Sequence, residues 1–194
     1  NTWLPGDIKY DDYNGDGQIS SEDRQIVGNP WPKLEMGFNF SASWRGIDFA
    51  LNSYGRFGQE VYNGAAYAAG DFQNNQNNFN GIVPWTQEHP VNDRPRIVYG
   101  DSRNTRGDQD RWLEDGSFFR ISDITLGYSL PTRAIRKIGL EKVRFAVTGK
   151  NLVTFTKYSG LDPEFADGGI WTIGYDGCSF PNPRAVQFAV SLTF

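Results

Sequence analysis

Strict alternation of apolar and polar residues recurs in five segments of this chain. In the last of them, Val186, Phe188 and Val190 alternate with Gln187 and Ala189. A period of two predicts β-strands that have one apolar face and one wet face. Each segment is about 9–11 residues long or slightly longer, the length with which a tilted strand crosses a bilayer. The segments are 35–44, 46–55, 117–130, 142–152 and 184–194.

The connections between these strands differ in length in a regular way. The short ones are the turn at Arg45-Gly46 and the link 131–141, and the long ones are 1–34, 58–116 and 153–183. Alternate connections of an up-and-down barrel lie at the same end, so all the long loops fall at one end. Outer-membrane barrels have this asymmetry, with short periplasmic turns and long extracellular loops. The pattern therefore predicts an all-β fold, a transmembrane antiparallel β-barrel, with Phe194 at the periplasmic rim.

Aromatic residues near strand ends fit this prediction, because membrane barrels carry aromatic girdles at both interfaces. The residues expected there are Trp44, Tyr54, Phe118, Tyr128 and Phe194. Two alternatives stay open. A secreted, calcium-stabilised, carbohydrate-binding β-sandwich gives the same alternation, although structureless loops this long are uncommon in compact soluble domains. A passive porin or secretion barrel keeps the strands but lacks a plug.

The composition argues against several other functions. The net charge is −4 and no basic patch is present, so no nucleic acid is expected as a partner. Cys178 and His89 are the only residues of their types, which excludes an internal disulfide and a multi-cysteine zinc site. No nucleophile motif surrounds either residue, and we predict no catalytic residue. Because the chain opens without an initiator Met or a signal peptide, we expect a fragment or a processed chain.

Residues 12–23, "DYNGDGQISSED", have the spacing of a calcium-binding loop. Oxygen ligands are expected at positions 1, 3, 5 and 12 and from a backbone carbonyl at position 7, with the glycine Gly17 at position 6. The predicted ligands of Ca²⁺ are Asp12, Asn14, Asp16, Gln18 and Asp23. Position 12 is Asp rather than Glu, and prolines 30 and 32 prevent a following helix. The alternative is an Asx-rich turn that binds no metal.

Three long stretches resemble SusC/RagA-type TonB-linked transporters of Bacteroidetes. They are "PGDIKYDDYNGDGQISSEDRQIVGNPWPKLEMGFNFSASWRGIDF", "RWLEDGSFFRISDITLGYSLP" and "VRFAVTGKNLVTFTKYSGLDPE". The terminal strand ending in Phe194 is also similar to the end of these proteins. The resemblance covers nearly the whole chain, and residues 58–111 are its least diagnostic part.

This resemblance implies a multi-pass outer-membrane protein that is not an enzyme. The parent would be a 22-stranded barrel with a plug, and this chain would supply the last five strands, surrounded by lipid. Segment 1–34 and the loops 58–116 and 153–183 would be extracellular. Partners would be a SusD-like surface lipoprotein, TonB acting through an N-terminal part absent here, and the barrel-assembly machinery, which would read Phe194.

The resemblance also implies uptake of oligosaccharides or peptides, but it assigns no residue to the substrate. Aromatic and amide side chains in the loop 58–116 would suit a sugar or a protein surface. The aromatic candidates are Tyr62, Tyr67, Phe72, Phe79, Trp85, Tyr99 and Trp112.

Overall fold

The computed structural model describes residues 3–70, 81–98, 100, 103–104, 106–136, 139–165 and 171–194. Within them, β-strands dominate and helices are short. The strands are β1 Leu34–Trp44, β2 Ile47–Phe57, β3 Glu60–Asn63, β4 Leu113–Asp115, β5 Phe118–Ser129, β6 Lys142–Thr156, β7 Tyr175–Asp176 and β8 Ala185–Thr193. The helices are α1 Gly64–Gly70 and α2 Thr132–Ile135, with 3₁₀ turns at Ser21–Asp23 and Asp110–Trp112. None of the described helices is long and apolar enough to cross a membrane.

The five long strands form one antiparallel sheet in the order β1-β2-β5-β6-β8. A two-residue hairpin turn joins β1 to β2, with Arg45 at φ 49° and Gly46 at φ 87°. Two consecutive left-handed residues match the twist of paired strands, which explains the tight turn. The sheet is open, because no strand in the described part of the chain pairs with the outer edge of β1 or of β8.

One face of this sheet is apolar from edge to edge. Cross-strand pairing aligns the side chains in rows. One row is Trp44, Ile47, Tyr128, Phe145 and Val190, and the next is Ala42, Phe49, Leu126, Val147 and Phe188. Phe188 is 83% exposed and none of these ten residues is buried. In the described part of the chain no second sheet covers this face, as a β-sandwich would require.

The opposite face is polar over the same rows. A row of small and polar side chains crosses all five strands: Ser41, Ala50, Thr125, Thr148 and Gln187. On this face the Thr125 and Thr148 hydroxyls lie 2.9 Å apart, and the Arg144 Nε donates to Asp48 Oδ1 over 2.9 Å. The sheet therefore has one apolar face and one polar face, and the polar face can border a water-filled space.

A β-bulge reverses the alternation partway along β5. Asn52 pairs with Asp123 and Ser53 with Ile121, so Ser122 has no partner on β2. Asn151 of β6 lies at the same level and has a left-handed φ of 51°. Because β5 has one extra residue here, its side chains between Phe118 and Ile121 alternate in the opposite sense from those after the bulge. Beyond the bulge, Ile121 continues the apolar face, and Arg120 points to the polar side.

Two residues of the predicted aromatic girdle, Phe118 and Tyr54, do not lie on the apolar face. Both lie beyond the bulge on the polar side, where Phe118 is only 2% exposed and its ring packs edge-on against Tyr54 at 5.8 Å between centroids. They belong to an internal cluster rather than to a lipid interface. On the outer face at this end, Phe119 of β5 pairs with Phe155 of β6, which is 58% exposed.

Candidate functional site

The three long connecting segments fold together at the bulged end of the sheet. We call the described residues of 3–33, 58–117 and 157–184 the cap. Strand β3 pairs with β4 in an antiparallel manner and with β7 in parallel, through Tyr62–Tyr175 and Asn63–Asp176. The predicted long loops are thus not structureless, because this small sheet joins the second of them to the third.

A buried arginine connects the cap to the polar face of the sheet. Arg120 of β5 is 2% exposed, and its Nη1 donates to Glu164 Oε2 at 2.9 Å. Its Nη2 donates to Asp162 Oδ1, and its Nε donates to Thr154 Oγ1 at 3.0 Å. The Tyr54 hydroxyl donates to the same Glu164 oxygen. We call this group the Arg120 clamp.

The acidic partners of the clamp are themselves fixed by the backbone around them. Asp162 Oδ1 accepts from Glu164 N at 2.9 Å, and Asp162 Oδ2 accepts from Asn182 N at 3.0 Å. Asp162 is 6% exposed, so its charge is balanced almost entirely by Arg120 and these amides. The clamp therefore holds Asp162, Glu164 and Asn182 against the polar face, at the end where the long loops lie.

A second polar network joins the two large loops to each other. Asn63 Nδ2 donates to Glu114 Oε1 at 2.8 Å, and Ser159 N donates to Glu114 Oε2 at 2.8 Å. The Tyr158 hydroxyl donates to Asp176. Burial raises the pKa of Tyr158, and this hydrogen bond raises it further. Both residues are at least nine-tenths buried, so this network is part of the interior of the cap.

The N-terminal segment is fastened to the cap through Asp7. The Asp7 carboxylate accepts from Arg96 Nη2 at 3.2 Å and from Asn104 Nδ2 at 2.9 Å. Backbone bonds add to this contact, with Arg96 N donating to Gly6 O at 2.8 Å. The guanidinium of Arg96 holds the pKa of Asp7 well below its usual range. The N-terminal segment around Asp7 is therefore bonded to Arg96 and Asn104, about ninety residues later in the chain.

Several loop aromatics that were candidates for substrate contact pack inside the cap. Tyr62 stacks on Tyr175 at 5.5 Å, its hydroxyl donates to Gly107 O at 2.8 Å, and burial raises its pKa to about 12. Tyr67 contacts Trp112, which is 3% exposed. Phe72, Phe79 and Tyr99 lie outside the described residues.

In the predicted calcium loop, side-chain oxygens accept hydrogen bonds from backbone amides of the same loop. Asp12 Oδ1 accepts from Gly15 N at 2.7 Å and Oδ2 accepts from Gly17 N at 2.7 Å. Gly15 and Gly17 have left-handed φ angles of 75° and 80°. Asn14 Oδ1 accepts from Asp16 N at 2.9 Å. The first half of the loop is thus wrapped around the Asp12 carboxylate.

Asp23 closes the same loop from its other end. Its carboxylate accepts from Ser20 N at 2.7 Å and from Tyr13 N at 3.0 Å. These amide donors, that of Ser20 above all, lower the pKa of Asp23. Gln18 enters the network through its N–H, which donates to Asp16 Oδ1 at 2.7 Å.

The geometry does not by itself form a metal centre. No three Asp, Glu, His or Cys side chains in the part of the chain that the structure describes are grouped so that they could hold an ion. The predicted ligands are neighbours in one turn, and calcium binding there stays a prediction. Phe194, the predicted assembly signal, follows the end of β8 and is 83% exposed.

Comparison with known proteins places this architecture among bacterial receptors. The chain is 34% identical over 199 residues to TonB-dependent receptor P26 of Formosa agariphila. The alignment covers 97% of this chain and 20% of that protein. The chain is 28% identical over 195 residues to TonB-dependent receptor SusC of Bacteroides thetaiotaomicron, covering 97% of the chain and 18% of SusC. No family model matches the chain.

Solved structures show the same fold. The chain superposes on the RagAB peptide importer in its closed-closed state with a TM-score of 0.76 and 24% identity, covering 91% of this chain and 19% of that one. The open-open state gives a TM-score of 0.71 and 25% identity over the same shares. The chain spans about a fifth of the length of the curated relatives it matches. It is a homologue, over nearly its whole length, of TonB-dependent receptors, SusC among them.

Proposed function

We propose that this chain forms part of the barrel wall and extracellular cap of a TonB-dependent outer-membrane importer. The observation that carries the proposal is the uncovered apolar face, which runs across five strands opposite a polar face. In water such a face is costly, at about 25 cal/mol per Å² of apolar surface. In a bilayer it is the outer surface of a barrel, and the polar face lines the lumen.

The open edges of the sheet support the same proposal. The outer edges of β1 and β8 would leave unpaired N–H and C=O groups in lipid, which is prohibitive unless further strands close the sheet. We propose that this segment supplies the last five strands of a 22-stranded barrel that encloses a plug. Phe194, at the end of β8, would then be read by the barrel-assembly machinery.

The substrates and partners of the whole importer are also part of this proposal. Oligosaccharides or peptides would enter beneath a SusD-like surface lipoprotein that lies over the cap. TonB would act on an N-terminal part of the parent protein. The RagAB system, whose fold this chain shares, is described as a peptide importer, and the named relatives are TonB-dependent receptors.

Cysteine labelling tests which face meets lipid. In the full-length receptor with Cys178→Ser, we expect Ala189→Cys to react with a charged, water-soluble maleimide, because Ala189 lies on the polar face. Val190→Cys, the adjacent residue on the apolar face, should resist that reagent in liposomes, and a bimane attached to it should be quenched by brominated acyl chains. Equal aqueous labelling of the two variants would contradict a lipid-facing wall.

We further propose that residues 12–23 bind Ca²⁺ through Asp12, Asn14, Asp16, Gln18 and Asp23. Because a ligand that binds only the folded state stabilises it, adding 2 mM CaCl₂ should slow proteolysis within this loop. Asp12→Asn should abolish the calcium effect, whereas Asp11→Asn, a neighbour outside the predicted ligand set, should keep it. If CaCl₂ and EDTA give equal cleavage rates in the unsubstituted receptor, the segment is an Asx-rich turn without a metal.

A further inference from the structure

The cap contains an open cleft of about 740 Å³ that none of the networks above fills. We call it the α1 cleft. One wall is the alanine-rich side of α1, including Ala65 and Ala69, together with Trp112. Gly160 and Leu161 also line the cleft. The cleft is large enough to receive a residue-sized or sugar-sized group.

Two arginines that line this cleft have no acidic hydrogen-bond partner among the residues that the structure describes. Arg94 and Arg111 both line it and are both half-buried. Neither forms an ion pair within the described part of the chain. Arg111 Nη2 donates only to the backbone oxygen of Asp93 at 3.3 Å, and its guanidinium lies 4.5 Å from the centroid of the Trp112 ring.

The two guanidinium groups are also close enough to act on each other. A Cβ on Gly70 would lie 2.7 Å from the Trp112 ring and 3.6 Å from Arg94 Nη1, so Arg94 borders the same ring as Arg111. Burial lowers the pKa of Arg111, and the charge of Arg94 lowers it further. Two like charges held near each other in a partly desolvated cleft favour a bound anion between them.

Two of the carboxylates that line the α1 cleft, Glu114 and Asp176, already accept hydrogen bonds from neighbouring donors. Glu114 accepts from Asn63 and from the Ser159 amide and hydroxyl, the last at 2.7 Å. Asp176 accepts from the Tyr158 hydroxyl and from Cys178 N at 2.8 Å. The Asp93 side chain is exposed, and its charge acts on Arg111 through space. Among the described lining residues, the two guanidinium groups therefore outnumber the one remaining carboxylate, that of Asp93.

We propose that the α1 cleft binds a carboxylate or sulfate group of the imported ligand between Arg94 and Arg111. This inference rests on the proposed importer function and gives it a substrate preference: acidic oligomers over neutral ones. The planar guanidinium groups pair with an oxyanion in a two-pronged geometry. The alanines of α1 and the Trp112 ring leave an apolar floor for the adjacent part of the ligand.

Binding to the purified full-length receptor in detergent, measured by isothermal titration calorimetry, tests this. One ligand pair is acetyl-Ala-Ala-Asp-Ala-Ala-amide against its Asn counterpart, and the other is trigalacturonic acid against its full methyl ester. We expect the acidic member of at least one pair to bind about tenfold more tightly, which is the gain of one charge-assisted contact. The pair that shows the preference identifies whether the anion comes from a peptide or a glycan.

The variants decide whether Arg94 and Arg111 cause the preference. Arg94→Gln/Arg111→Gln should bind both members of the pair within about threefold of each other, because the remaining contacts are neutral. Arg94→Lys/Arg111→Lys should retain part of the preference and shows that the cleft still folds. Arg184→Gln, which removes an exposed cation elsewhere on the cap, should leave it unchanged.

The proposal is overturned if the unsubstituted receptor prefers neither acidic ligand, or if the preference persists in the double Gln variant. Failure of the importer function itself gives a different result. Uptake of the same ligands by cells would then be equal with and without TonB, while the anion preference of the purified receptor would still depend on Arg94 and Arg111.

Discussion

Replacing Arg120 by Met is expected to lower the free energy of local opening around Asp162, Glu164 and Asn182 by about 3–5 kcal/mol. The substitution keeps a long apolar stem but leaves Asp162 and Glu164 without their cation. Asp162 is 6% exposed, so water cannot replace the lost charge without opening the site. Hydrogen exchange of the full-length receptor, followed by mass spectrometry on peptides from 157–184, measures this opening.

An exposed ion pair of the same sheet provides a matched control. Arg56 Nε lies 2.8 Å from Glu35 Oε1, but the two side chains are 46% and 58% exposed. Because surface pairs contribute about 0–1 kcal/mol, Arg56→Met should change exchange in the same peptides very little. Equal small effects of Arg120→Met and Arg56→Met would show that the Arg120 clamp does not hold the cap to the wall.

Removing the negative charges as well should restore part of the lost stability. In Arg120→Met/Asp162→Asn/Glu164→Gln none of these three side chains is charged, and the single amide oxygen at position 162 can still accept from one of the two backbone amides, that of residue 164 or that of Asn182. We expect this variant to be more protected than Arg120→Met alone, since the penalty comes from the stranded carboxylates rather than from the lost contact. Further loss in the triple variant would contradict that explanation.

The sequence is informative about the sheet because strand periodicity is local. Each of the five alternating segments overlaps one long strand of the sheet, although β1, β2 and β6 extend beyond the predicted bounds, and the apolar rows follow from the alternation once the strands are paired. The reversed alternation at the bulge in β5, in contrast, is not predictable from the sequence. Ser122 lies between Ile121 and Asp123, and Asn151 lies between Lys150 and Leu152. Nothing in these neighbours marks Ser122 as unpaired or Asn151 as left-handed.

The cap was much less predictable, because its contacts join residues that are far apart in sequence. Tyr54 bonds to Glu164, 110 residues later, and Asp7 to Arg96, 89 residues later. Periodicity carries no information about such pairs. A local signal did exist for the clamp, since Arg120 interrupts the apolar run Phe118-Phe119-Arg120-Ile121. A charge inside an apolar strand requires a partner, although the sequence does not say which one.

Replacing Phe188 by Arg is expected to destabilise the assembled barrel by about 2–4 kcal/mol. That is the cost of placing Arg on a lipid face near the bilayer midplane. Phe188 lies in the middle of β8 and continues the apolar row formed by Phe49, Leu126 and Val147. Urea unfolding of the full-length receptor in liposomes, followed by tryptophan fluorescence, measures the change relative to the unsubstituted protein.

Gln187 is the matched control, because it is the preceding residue on the same strand and points to the opposite face. It pairs with Thr148 in the polar row, where an added guanidinium stays in contact with water. Gln187→Arg should therefore cost less than about 1 kcal/mol, as surface changes usually do. If the two variants unfold at the same urea concentration, lipid does not cover this face, and the chain would need another protein surface to bury it. The difference between two adjacent residues thus separates a membrane wall from a protein interface.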